Sequence, residues 1–395
     1  MRPDVRAYPI AAAAVLLALP AAGQVSFSTL YRSSGWWATG LTAINGTLYG
    51  VGPEAQGCGA VFTVEPPSAN AGEWTENLIY TFAPANDACY PAFGPVQGSD
   101  GALFGISVTG GAYDEGAVYE LLPPASPGGS WMESLVYSLP GSLSGLVGGP
   151  DGSFYILIPG GANAGGALLQ LLPSASPGDV WTGAELYSFP GGSGLVLPDS
   201  LIAGGHGELY GTTEFGGSPQ QLGEVFQLSP PTTSGGEWTY TALHNFNFGD
   251  GQAGNPNSLA RASDGTLYGT TYGASYNGGR GTGAIFELTP PASPGGHWNF
   301  SILENFGGLH PSSPIVLRNG DLYTTADSQL GGDVFELQPP SNAGGSWTTI
   351  YLHGFNDRLV PFGQLVVDQS GTVYGATGTL SGAPYSGTIY RIAPN

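Results

Sequence analysis

One short pattern recurs seven times along this 395-residue chain, and internal repetition constrains a fold more tightly than any other sequence feature. A turn dipeptide ending in Gly is followed, one residue later, by an apolar–aromatic pair. The copies are Asn45-Gly46 with Leu48-Tyr49, Asp100-Gly101 with Leu103-Phe104, Asp151-Gly152 with Phe154-Tyr155, and His206-Gly207 with Leu209-Tyr210. Asp264-Gly265 with Leu267-Tyr268, Asn319-Gly320 with Leu322-Tyr323, and Ser370-Gly371 with Val373-Tyr374 complete the series. Successive aromatic residues lie 51 to 58 positions apart, a period suited to one four-stranded propeller blade.

Each unit reads as four strands. A short apolar run enters the Asn/Asp-Gly turn, whose residues tolerate the positive φ of a tight hairpin, and the aromatic pair begins the returning strand. A third strand follows a Gly-rich loop, as in Ala60-Val61-Phe62, Glu224-Val225-Phe226 and Ala284-Ile285-Phe286. A fourth opens with Trp at 74, 131, 181, 238, 298 and 347. The third-strand runs lack polar alternation, as sheets covered on both faces require.

Only six units carry a Trp-led fourth strand. The missing piece is at the other end of the chain, where Leu30-Tyr31 matches Ile79-Tyr80, Val136-Tyr137 and Leu186-Tyr187, and Val25 takes the Trp slot. Such a ring closes itself and leaves no open sheet edge. The predicted fold is therefore all-β: a seven-bladed β-propeller of four-stranded blades over residues 24–395. Residues 24–34 supply the outer strand of blade 7, blades 1–6 lie within 35–360, and 361–395 supply the three inner strands.

The unit resembles the GloVer tandem-repeat family of exported bacterial proteins, whose repeats carry a "DGxLYGTT…GGxVFxLxP" pattern. The segments Asp264 to Thr271 with Gly283 to Pro290, and His206 to Thr213, match it best. Units three and six depart from it, with Ile156 and Thr324 where the pattern has Gly after the aromatic pair. The resemblance implies export and a repeat architecture but no known activity. Family members often carry a C-terminal surface anchor, and Ile392 to Asn395 does not read as one.

Export also follows from the residues themselves. Arg2 and Arg6 precede an unbroken apolar run from Ile10 to Leu19, and Ala21-Ala22-Gly23 offers small residues for cleavage. This is the layout of a signal peptide over residues 1–23, too short to span a bilayer. The expected product is a secreted or periplasmic protein, soluble after cleavage near Gly23.

Charge narrows the partners. Acids number 29 against 8 basic residues, all of them Arg, for a net charge of −21. No basic stripe offsets this repulsion locally, so nucleic acid and anionic membrane surfaces are poor partners, and neither is expected.

Within each unit, third-strand aromatic to Trp is always 12 residues, whereas the step from the second to the third strand varies from 12 to 18. From each Trp to the next aromatic pair the step ranges from 24 to 30. The two variable connections emerge on one face of an up-and-down blade, which makes that irregular face the expected site. Cys58 and Cys89, the only two cysteines, both fall on it, so a disulfide is expected in an oxidising compartment. Candidate binding residues on the same face are the Trp36-Trp37 pair, Tyr113 with Asp114, Glu214, Tyr276, Arg280, Asp327 and Asp357. They mix flat apolar surface with hydrogen-bonding groups, as a glycan or peptide site needs.

No cofactor is expected, and Ca²⁺ has only weak support: Asn247-Phe248-Gly249-Asp250-Gly251 has some flavour of a calcium loop but lacks its alternating acids, and the five His are dispersed. No His-Glu zinc helix, nucleophile elbow or phosphate-cradling loop appears. The leading expectation is a non-catalytic module recognising a glycan or an extracellular or envelope protein. The alternatives are a carbohydrate-active enzyme of lyase or glycosidase type with Asp114, Glu214 and Asp327 at the channel mouth, and a structural envelope protein.

Overall fold

The computed structural model describes residues 25–394 except 35–37, 53–56, 68–73, 84–87, 99, 127, 140–144, 150–151, 159–164, 175–178, 191–197, 218–219, 234, 251–252, 274–281, 294, 308, 312–314, 329–330, 343, 356–358 and 380–385. The described residues contain no helix; antiparallel sheets form seven blades in a ring, a seven-bladed β-propeller. Blade 4 shows the plan: Pro198–Ala203, Leu209–Thr213, Glu224–Ser229 and Thr239–Asn245 pair in sequence order. Blade 6 differs in having its first strand split into His310–Pro311 and Val316–Arg318.

Closure occurs where the sequence places it. In blade 7 the strands Leu359–Val367, Val373–Thr379 and Ser386–Pro394 are completed by Val25–Ser34. Tyr31 pairs with Ile389 and Thr29 with Tyr390, so the register slips past Leu30. The other six blades slip at the equivalent place, past Ile79, Val136, Leu186, Leu243, Leu303 and Leu352. A β-bulge bends a strand and tightens its twist, and here one apolar residue per blade sets it.

Two side-chain rules hold the blades. Gly50, Gly105, Gly211, Gly269 and Gly375 in the second strands lie under the rings of Phe62, Tyr119, Phe226, Phe286 and Tyr390, which fill the space a Cβ would occupy. Where the Gly is replaced by Ile156, the facing residue is Leu169 rather than an aromatic, so the volume is conserved. In blade 6, Thr324 faces Phe335, whose ring packs on Phe306 and Tyr351 instead.

Between blades, the residue just after each bulge meets the next blade's fourth strand. Tyr187 stacks on Tyr240 with centroids 5.5 Å apart, His244 on Phe300 at 4.0 Å, and His353 on Phe27 at 3.7 Å. The Thr349 hydroxyl donates to Glu304, and Tyr137 covers Gly183. A hydrogen bond to Glu76 and burial push the Tyr31 phenol up to about 12. Thus Phe27 and Tyr31 give the N-terminal strand both halves of the contact that links other blades.

Candidate functional site

First strands of adjacent blades pack on one another around the ring axis. They enclose a cavity of about 320 Å³ that all seven blades line: Thr42 from blade 1, Phe93 from blade 2, Leu146 from blade 3, Asp199 from blade 4, Asn257 from blade 5, Ile315 from blade 6 and Gln364 from blade 7. Propeller geometry forces this convergence, because the first strand of every blade borders the axis, and blades 4 and 5 line it with their opening residues.

The opening residues differ in a telling way. Between Pro198 and Ser200 the register shifts past Asp199, and between Pro256 and Ser258 it shifts past Asn257. The two side chains therefore occupy equivalent bulges. Asn257 is consumed by the scaffold: its Oδ1 accepts from Thr270 Oγ1 at 2.6 Å and its Nδ2 donates to the Pro311 carbonyl at 3.2 Å. An ionised Asp199 has no side-chain donor to offer a neighbouring carbonyl, and the residue lines the cavity. Burial, then the charge of Glu214, raise its pKa from 3.8 to about 6. Perturbation of that size is concentrated at functional sites. Glu214 itself is exposed, with its carboxyl raised by partial burial.

Phe93 is the second unusual group. It is 47% exposed where it lines the cavity, and its φ of 59° lies in the left-handed region. That conformation costs a bulky residue on the order of 1–3 kcal/mol and is retained where the surroundings over-determine it. Tyr90, three residues earlier, is also left-handed at φ 58° and 47% exposed. The Cys58–Cys89 disulfide joins the loop of blade 1 to this entry into blade 2, with Cα atoms 4.4 Å apart. The Tyr90 N–H donates to the Cys58 carbonyl at 2.6 Å. The expected disulfide thus anchors the segment that presents both rings.

Other sequence candidates fall elsewhere. Trp36, Trp37, Tyr276, Arg280 and Asp357 lie outside the described residues. Tyr113 is exposed, and Asp114, left-handed at φ 58°, accepts from the Gly110 N–H at 3.1 Å within its own loop. Asp327 pairs in register with His310, whose ring stacks on Tyr272 and whose Nδ1 meets the Tyr272 carbonyl at 2.7 Å. Neither Asp114 nor Asp327 lines the axial cavity. Asp250 accepts from Asn247 N at 2.9 Å and from Asn247 Nδ2 at 3.1 Å, and pairs with His244 Nε2 at 3.1 Å, which ties it to its own turn. No group of three or more His, Cys, Asp or Glu among the described residues could hold a metal ion, and no helix among them is long and apolar enough to cross a membrane.

Sequence reading missed Phe93 and Asp199. One signal for Phe93 was present: Pro91-Ala92-Phe93-Gly94-Pro95-Val96 is one residue longer than its counterpart in blade 5, Pro256-Asn257-Ser258-Leu259-Ala260. For Asp199 the signal was its Asn counterpart one repeat later.

The sequence profile of the Gloeobacter/Verrucomicrobia repeat matches residues 36–271 and 197–395. No curated protein matches the chain in sequence. Among solved structures, an ulvan lyase is similar over 94% of this chain and 96% of its own, with a TM-score of 0.62 at 9% identity. An ulvan lyase bound to -[GlcA(1-4)Rha3S]- is similar over 92% and 96%, at a TM-score of 0.57 and 10% identity. A catalytically inactive virginiamycin B lyase from Staphylococcus aureus, with quinupristin, is similar over 94% and 99%, at 0.56 and 13%. At these identities the likeness is one of fold.

Proposed function

The chain belongs to the Gloeobacter/Verrucomicrobia repeat family, and we propose that it is an exported binding module that takes a neutral or amine-bearing glycan at its axial mouth. One observation carries this reading: an exposed aromatic ring, Phe93, shares a cavity with Thr42, Asp199 and Gln364. A sugar presents an apolar ring face to an aromatic and hydroxyls to polar groups, and this pocket offers both. Its volume, about 320 Å³, suits one or two sugar rings.

The sign of the charge selects within glycans. Among the described residues no Arg lines the cavity, the chain has no Lys, and Asp199 adds negative charge with Glu214 near it. A uronate would meet like charge in a partly desolvated site. The ulvan lyase that holds a glucuronate-containing disaccharide supports a glycan for this architecture, though the ligand class here differs. Export is supported by the N-terminal segment and by the disulfide.

Titration calorimetry at pH 7 with neutral, amine-bearing and uronate oligosaccharides of equal length tests the proposal. Phe93→Ala weakens binding about tenfold through the lost ring, and Asp199→Asn removes a preference for the amine of ~10-fold or more. Tightest binding by the uronate, or indifference to both substitutions, would sink it.

A second reading has its own support. A carboxyl held at about 6 beside a second acid can exchange a proton near neutrality. Turnover of any of these oligosaccharides that vanishes in Asp199→Asn, with binding kept, would favour catalysis over recognition.

A further inference from the structure

Blade interfaces are built around one contact, and one of the seven lacks it. The second-strand aromatic of each blade meets the Trp that opens the next blade's fourth strand. Centroid separations are 5.3 Å for Phe104–Trp181, 5.9 Å for Tyr155–Trp238, 6.2 Å for Tyr210–Trp298, 5.6 Å for Tyr268–Trp347 and 6.3 Å for Tyr374–Trp74. Tyr49 and Trp131 pack against a common core. Between blades 6 and 7 the pair is Tyr323 and Val25, because the fourth strand of blade 7 comes from the N-terminal segment. Val25 pairs with Pro394 and Phe27 with Ile392; Tyr240 pairs with Leu228 in the same way, which puts Val25 in the position of Trp238.

A cavity of about 330 Å³ opens at this interface, on the face opposite the variable loops, and both Tyr323 and Val25 line it. Its remaining wall is two-sided. Ile350, Leu352, Val373 and Ile392 supply apolar surface, whereas Asp321 and Glu336 supply acids. Glu336 already accepts from Gln338 Nε2 at 3.0 Å and from the Tyr323 hydroxyl at 3.4 Å. Among the described residues, no basic side chain lines the space.

We infer that this seam cavity is a second binding site, separate from the axial mouth, and that it takes a planar aromatic amine. The ring lies in the space that an indole fills in the other blades, and the ammonium faces Asp321 and Glu336. The other interfaces act as internal controls for the shape: a second-strand aromatic, Tyr in five blades and Phe104 in one, meets a Trp six times. The acids account for the charge. Burial and the nearby Glu336 raise the Asp321 carboxyl, a penalty that a bound cation relieves.

Calorimetric titration of the full mature chain with tryptamine, indole-3-acetamide and indole-3-acetate is the test, with Val25→Trp as the key variant. Tryptamine binds at about millimolar affinity or tighter, as befits a ligand of this size. Indole-3-acetate binds about fivefold more weakly, and Asp321→Asn with Glu336→Gln brings the three ligands together. Val25→Trp abolishes tryptamine binding and raises the unfolding midpoint by about 1–3 °C, because the cavity is filled from within. A lowered midpoint in Val25→Trp means that the space is not vacant and overturns the inference. So does tryptamine binding that survives Val25→Trp, or equal affinity for the acetate. Glycan binding at the axial mouth is unaffected by Val25→Trp, so the two sites stand or fall separately.

Discussion

Blades 4 and 5 share the pentapeptide Leu-Tyr-Gly-Thr-Thr, at 209–213 and 267–271, and pair in the same register strand for strand. Their polar slots nevertheless diverge. Asp199, Glu208, Glu214 and Glu224 in blade 4 correspond to Asn257, Thr266, Tyr272 and Ala284 in blade 5. The backbone is thus specified by a few positions: the Gly beneath a ring, the bulge residue, and the turn. Positions at the strand entries are free to carry charge, and in blade 4 they do. Scaffold and site occupy different residues of the same repeat.

If the two scaffolds are equivalent, breaking them should cost the same. Phe226 and Phe286 are both fully buried and both cover a second-strand Gly, Gly211 and Gly269. Phe226→Ala and Phe286→Ala each lose about 3–5 kcal/mol of stability through the cavity left behind. Urea unfolding should find the two losses within about 0.5 kcal/mol of each other, the usual tolerance for independent, like sites. A gap of several times that would show that the blades differ in more than their polar slots.

The buried acid of blade 4 sharpens the contrast. Glu224 is 4% exposed, and the Tyr240 hydroxyl donates to it; blade 5 has Ala284 and Phe300 in these two positions. A polar pair and an apolar pair are alternative solutions, and mixtures of the two are poor. Tyr240→Phe strands a buried carboxylate and costs about 2–3 kcal/mol. Glu224→Ala leaves an unmatched hydroxyl and costs about 1–2 kcal/mol. The double variant, which installs the blade 5 solution, returns close to wild-type stability. A double-mutant cycle that proves additive would refute the pairing.

At the axial mouth the exchange should be asymmetric. The folded-state pKa of Asp199, about 6, is above its unfolded value of 3.8. The folded state therefore holds the proton more tightly, and stability falls as pH rises from about 4 to 6, with the full penalty present above 6. Asp199→Asn removes that slope and stabilises the protein by about 1–2 kcal/mol at pH 7.5, with little effect near pH 3.5. The reverse change, Asn257→Asp, loses the donor to the Pro311 carbonyl and costs about 1–3 kcal/mol at pH 7.5. Unfolding midpoints at the two pH values check both signs.

These contrasts also mark what was legible in the sequence. Closure of the ring was, because Leu30 and Tyr31 repeat a local pattern whose bulge is set by residues adjacent in the chain. The disulfide was too, since both cysteines map to loops on one face. The axial site was not: Phe93, Asp199 and Gln364 are far apart in sequence and meet only because seven first strands border one axis. Asp114 and Glu214 were singled out as acids in variable loops, but loop length does not determine distance from the axis. Asp114 folds back on Gly110, and Glu214 does not line the cavity but adds its charge beside Asp199.

The smallest effect concerns the residue after the bulge, which is His244 in blade 4, Glu304 in blade 5 and Tyr in most other blades. Burial lowers the His244 pKa below 6.5, partly opposed by Asp250, and its ring lies flat against Phe300. A folded-state pKa below the unfolded one means that the unfolded chain takes up the proton first. Stability contributed by the neutral ring is therefore complete above about 6.5 and declines as pH falls toward the folded value. His244→Tyr keeps a ring in the stack, as Tyr187 does against Tyr240, and removes the titration. Its unfolding free energy should match wild type within about 0.5 kcal/mol at pH 8. Between pH 6.5 and 5 the wild type should lose stability that the variant retains. Should the two curves run parallel through that range, the ring contact between blades 4 and 5 tolerates a charged imidazole, and the stack is held by shape alone.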